Sequence, residues 1–195
     1  NAARSCCDDV RAMRKLLMTD FGFAEDNIRM LVDDDAQSEQ PTPDNILANL
    51  SWLADCTSQT PGAHVVWHFC GQSMVCTDSS GEWEGLLVCE ERGQETLLDD
   101  QDVAQILTEE LSHDANALVL MDCVHSGKSF GLLSNYDTST GIVENARGKP
   151  VITRATVQMI SASCQTREHR PGVTAALVDV VAQRRAGGDR LLPTS

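Results

Sequence analysis

The sequence predicts an α/β fold: a mainly parallel central sheet flanked by helices on both faces. Residues 63–70 (AHVVWHFC) and 115–121 (ANALVLM) are continuous apolar runs of strand length, the pattern of strands buried on both faces of a parallel sheet. Segments of helical periodicity alternate with them, which calls for right-handed crossovers that cover the sheet. The chain has 195 residues, 42% of them hydrophobic, enough for one domain with a substantial core and too few for two.

The elements follow in order. Residues 7–20 carry Val10, Met13, Leu16 and Leu17 at helical spacing and stop at Phe21-Gly22-Phe23. Residues 28–32 form a short β-prone run before Asp33-Asp34-Asp35, and Pro41-Thr42-Pro43-Asp44 opens a second helix through Ile46, Leu50 and Leu53. The run 63–70, bounded by Gly62 and Gly71, reads as a central strand. Residues 81–93 are turn-rich around the apolar piece Leu86-Leu87-Val88-Cys89. Asp99-Asp100 then start a helix through Val103, Ile106, Leu107 and Leu111, ahead of the strand at 115–121. Residues 133–156 are rich in Ser, Thr, Asn and Gly and read as a flexible linker; a strand at 157–162 and a helix at 172–183 follow.

A formal net charge of −14, from 29 acidic and 15 basic residues, argues against nucleic acid and against an anionic membrane surface, and favours basic peptides. No apolar stretch reaches the roughly 18 residues of a membrane span, and no basic-then-apolar leader opens the sequence. The eight cysteines form no CxxC pair, and several lie within apolar runs like reduced core thiols, which points to a reducing, cytoplasmic setting.

In a parallel sheet, chemistry collects beyond the carboxyl ends of the strands. Those places read Trp67-His68-Phe69-Cys70-Gly71-Gln72-Ser73 and Met121-Asp122-Cys123-Val124-His125-Ser126-Gly127. They resemble the F-H-Y-S-G-H-G and D-[CS]-C-H-S-G motifs of metacaspases, the peptidase C14 branch of caspase-like cysteine peptidases. Further segments resemble the family in the same order: Ser5-Cys6-Cys7-Asp8-Asp9-Val10, Pro41-Thr42-Pro43-Asp44-Asn45-Ile46, Glu82-Trp83-Glu84-Gly85, Leu98-Asp99-Asp100, and 161–168 after the linker. The resemblance implies a three-layer caspase-like domain. Its large-subunit-like part is about 1–132, its linker about 133–156 and its small-subunit-like part about 157–185, with both ends truncated relative to the family.

The resemblance also implies roles. The family's general base aligns with Gln72 and its nucleophile with Val124, and neither side chain can do that work. Gln72 has no titratable proton near neutral pH, and Val124 offers only hydrocarbon. Loss of a protease nucleophile costs about 10⁶-fold in turnover, and a second loss adds little. The expected product is a pseudoenzyme. The alternative is an active endopeptidase cleaving after Arg or Lys with Cys123 as a relocated nucleophile, and His125 or His68 as base. Strand alternation turns Cys123 away from the position of Val124, and favours a structural thiol there and a satisfied core histidine at His68. A third expectation is an inert truncated product.

Asp9 and Asp122 align with the aspartates of the family's pocket for a substrate Arg or Lys; unaided by the resemblance, Asp9 reads rather as a helix-start acid stabilised by the dipole, and with it the two readings stand about even. Glu84, Asp99 and Asp100 align with the family's calcium ligands, but a further acidic ligand falls on Gly131. Calcium is therefore possible but weakened, no cofactor is required, and Asp99 and Asp100 read alternatively as helix caps. The implied partners are a basic peptide or protein segment, or an active metacaspase, with the chain itself a monomer.

Overall fold

The computed structural model describes residues 6–79, 81–89, 94–123, 134–137, 142–145, 153–161 and 172–187. Helix α1 spans Cys6–Asp20, with Asp8 and Asp9 in its first turn, where the helix dipole favours acids. Gly22, at φ 73°, turns the chain so that the Phe23 amide reaches the Leu17 carbonyl. Helix α2 spans Pro43–Gln59. Thr42 caps it by accepting from the Asn45 amide at 3.2 Å, and Pro43 occupies the first turn, where its missing N–H goes unmissed.

Strand β1 (His64–Cys70) is followed by an antiparallel sheet of β2 (Gln72–Asp78), β3 (Gly81–Cys89) and β4 (Glu95–Asp99), in the order β2-β3-β4. Helix α3 (Asp100–Gln105) leads into a π-helical turn at 106–110. The segment expected to be one continuous helix thus changes pitch, while Val103, Ile106, Leu107 and Leu111 all stay buried. Strand β5 (Asn116–Asp122) then returns to the main sheet, β6 (Ser134–Asp137) and β7 (Ile142–Asn145) form an antiparallel hairpin, and β8 (Thr156–Ser161) precedes helix α4 (Val173–Ala186).

The main sheet is parallel, ordered β1-β5-β8. Side chains alternate across β5. Ala117, Val119 and Met121, continued by Cys123, join the core under α2 and α3, whereas Leu120 joins Met13 and Leu16 of α1 and Val181 of α4, with Leu118 packed alongside. Helices therefore cover both faces, and the α/β class read from the sequence is the observed one.

Three local expectations need correcting. The middle strand is β5, not β1: among the described residues β1 pairs only with β5, and most of its side chains are half-buried rather than buried. Residues 28–32 form no named strand but a single bridge, Leu31 to Glu39. A cavity of about 670 Å³, lined by Ile28 to Asp33 and by Val65 to Gln72 among others, separates that run from β1. Within 133–156, expected as a linker, stands the β6–β7 hairpin. Backbone pairing needs no apolar alternation, so the polar composition of this stretch carried no sign of it.

Candidate functional site

The site lies where β1 and β5 end side by side. Their register places Cys70 opposite Asp122, and the Gly71 amide donates to the Asp122 carbonyl at 3.3 Å. Asp122 alternates with Met121 and Cys123, so its carboxylate points to the face covered by α1 and α4. Asp9, near the start of α1, comes down onto that face. One ligand atom from each of Asp9, Cys70 and Asp122 lies within 4.8 Å of the other two, and all three residues are half-buried. The Cys6 thiol hydrogen-bonds with that of Cys70. This contact, burial, and the charges of Asp122 and Asp9 all push the Cys70 thiol up from its ordinary value, so it stays protonated.

Asp122 is held from outside. Helix α4 begins at Gly172, which has no side chain to cap it, and the Thr174 amide instead donates to Asp122 Oδ2 at 2.9 Å. Glycine is required there for space. A Cβ on Gly172 would sit 2.3 Å from Asp122 Oδ1 and 2.5 Å from Oδ2, although the backbone (φ −63°, ψ 173°) suits any residue. The Thr174 hydroxyl lies 2.8 Å from His68 Nε2. Burial lowers the His68 pKa to about 4, with Asp122 opposing more weakly, so the ring is a neutral, hydrogen-bonded interior group.

The positions that the motif resemblance equates with the family's catalytic pair are only partly among the described residues. Gln72 is the first residue of β2, exposed, opposite Leu87. Val124, His125, Gly131 and Cys164 lie outside the described residues. Cys123 is 4% exposed and packs with Met121 and Val119 on the α2 and α3 side. His68 makes its hydrogen bond on the opposite face of the sheet, so the fold does not bring these two together.

Glu84, Asp99 and Asp100, the acids that the resemblance offered as calcium ligands, lie around the β3–β4–α3 junction. Glu84 is buried, accepts from the Ser73 hydroxyl at 2.6 Å, and has its own amide directed at Asp100 Oδ1, 3.3 Å away. Asp99 caps α3 by accepting from the Gln101 amide at 2.9 Å. Among the described residues the one convergence of three or more potential metal ligands is Asp9, Cys70 and Asp122, not these acids.

Sequence reasoning did not single out Cys6, Cys70, Gly172 or Thr174 as site residues. A helix opening on glycine was the available signal for the last two, because a cap must then come from elsewhere in the fold.

Comparison with known proteins places these observations. Residues 1–133 match the family model described as metacaspase, peptidase C14 domain. The chain is similar to metacaspase-2 of Trypanosoma brucei brucei, 28% identical over 159 residues, covering 78% of this chain and 44% of that protein. It is similar to metacaspase-1 of Meyerozyma guilliermondii, 27% identical over 149 residues, covering 74% of this chain and 36% of the relative. Metacaspase-4 of Arabidopsis thaliana is 32% identical over 126 residues, covering 64% of this chain and 29% of the relative. The chain thus spans less than half the length of these curated relatives.

Proposed function

The chain belongs to the metacaspase family of peptidase C14 domains, and from that membership we propose that it is a catalytically inactive module that binds basic peptide segments. The observation that carries this reading is the meeting of the Asp9 and Asp122 carboxylates on the α1 and α4 face, next to the half-buried Cys70. A planar guanidinium offers a fork of donors that matches such carboxylates through charge-assisted hydrogen bonds, and an ammonium matches them as a point charge. The −14 net charge adds a long-range attraction for cationic segments.

Loss of peptidase chemistry is the reading that the motif resemblance supports, with Gln72 in place of the general base and Val124 in place of the nucleophile. The burial of Cys123, on the opposite face from His68, supports the pseudoenzyme over a relocated nucleophile. The partner is accordingly a basic protein segment, including one presented by an active metacaspase. Calcium is held weakly or not at all, a reading supported by the Asp99 carboxylate being engaged as a helix cap.

Fluorescence anisotropy with a labelled Arg-containing peptide, with chelator present, tests the pocket. Binding should weaken at least about tenfold in Asp9→Asn, consistent with charged-group hydrogen bonds worth about 1.5–3 kcal/mol. It should also be lost when norleucine replaces the arginine. Equal affinity for both peptides would overturn the pocket.

A further inference from the structure

Soft and hard donors meet at one point of this fold. The carboxylates of Asp9 and Asp122 and the thiol of Cys70 already approach within 4.8 Å of one another, and the Cys6 thiol is hydrogen-bonded to that of Cys70. We propose that Cys6, Asp9, Cys70 and Asp122 form a binding site for a thiophilic divalent cation of the zinc type. The inference uses the carboxylates of the peptide pocket but not its chemistry, and it stands whether or not a guanidinium binds there.

The donor set selects the ion. Calcium and magnesium take oxygen ligands and gain nothing from thiols, whereas a pair of thiolates with two carboxylates suits zinc in tetrahedral coordination. With Zn–S near 2.3 Å and Zn–O near 2.0–2.2 Å, neighbouring donors in such a shell lie about 3.5 Å apart, so Asp9, Cys70 and Asp122 must close by about 1 Å, and Cys6, which is outside their 4.8 Å group, must move further.

The architecture allows that contraction. Cys70 and Asp122 are fixed at the ends of adjacent strands, and Asp122 is further held by the Thr174 amide at 2.9 Å. Cys6 and Asp9 lie in the opening residues of α1, Cys6 at its first position and exposed. A helix end adjusts more readily than the interior of a sheet, so α1 supplies the movement. On coordination each thiol gives its proton to solvent and its sulfur lone pair to the ion; nothing is oxidised or reduced. No CxxC spacing announces the site, because its donors come from segments that only the fold brings together.

One consequence is regulatory: ion and guanidinium claim the same two carboxylates, so a bound ion excludes a basic side chain.

The test uses the metal alone. Reduced protein, stripped with chelator and dialysed, is titrated with Co²⁺ and then with Zn²⁺. Co²⁺ should raise a thiolate-to-metal charge-transfer band with the d–d absorption of a tetrahedral site, and Zn²⁺ should abolish both. Cys70→Ser, close in size to the native residue, and Asp9→Asn should each weaken Zn²⁺ binding by more than about 100-fold, beyond the 10–100-fold typical of losing an outer-shell partner. Cys76→Ser, on β2 and outside the cluster, should leave it unchanged. Denaturation midpoints of all variants establish that they fold. Absence of the thiolate band, or undiminished affinity in folded Cys70→Ser, overturns the site. Either result leaves the peptide measurement, made with chelator present, untouched.

Discussion

Gly172→Ala isolates the link between α4 and the carboxylate at the end of β5. The backbone at this position accepts alanine without strain, so conformational preference adds little to the effect. The new methyl would instead lie 2.3 Å and 2.5 Å from the two Asp122 carboxylate oxygens, well inside van der Waals contact. Asp122 must swing away, and the 2.9 Å hydrogen bond from the Thr174 amide goes with it. Losing a helix cap costs about 1 kcal/mol, and forcing an extra carbon into a filled site costs about 1–3 kcal/mol, so unfolding free energy should fall by about 2–4 kcal/mol. Urea denaturation measures the loss directly. The same alanine placed in an Asp122→Ala background meets no carboxylate and should cost almost nothing further. A double-mutant cycle should therefore give a coupling energy of about 2–4 kcal/mol between the two positions. A cost for Gly172→Ala that is the same in both backgrounds would refute the contact and the positioning role drawn from it.

The low pKa of His68 fixes the sign of a pH effect. The neutral ring is favoured in the folded state, so its contribution is fully present above about 6.5, declines as pH falls towards about 4, and can remove up to about 3 kcal/mol. His68→Gln, which keeps a hydrogen-bonding group without a proton to gain, should flatten that part of the stability profile; identical profiles between pH 4 and 6.5 would contradict a buried neutral histidine. Calorimetric titration with calcium should give at most the weak binding of a Kd of about 10⁻⁴–10⁻³ M. Micromolar affinity lost in Glu84→Gln would establish the site that the engaged Asp99 carboxylate argues against.

The parallel sheet was legible because residues 63–70 and 115–121 are long apolar runs, a signal that comes from burial itself. What those runs do not encode is rank within the sheet. Val65 to Cys70 look as apolar as Ala117 to Met121, yet β5 is flanked on both edges and β1, among the described residues, on one. Antiparallel β2 and the β6–β7 hairpin were illegible for a different reason: their pairing is made by backbone groups that every sequence carries.

Within the site, Asp9 and Asp122 were reachable through motif resemblance, because each lies in a short contiguous segment. The fold brings both to Cys70, and it gives His68 the hydrogen-bonded interior role that strand alternation favoured. Cys6 beside Cys70, and Gly172 beneath Asp122, join residues far apart in the chain. Such pairs are products of strand register and helix placement, and no local pattern announces them.

The central claim, a metacaspase domain that binds basic segments without cleaving them, is tested most directly by incubating pure protein with a fluorogenic Arg or Lys peptide. The assay runs with and without millimolar calcium, beside Cys123→Ala, while binding of the same peptide is followed in parallel. The account predicts binding that weakens in Asp9→Asn and no turnover under any condition. Turnover that disappears in Cys123→Ala would contradict it and assign the nucleophile to that buried thiol.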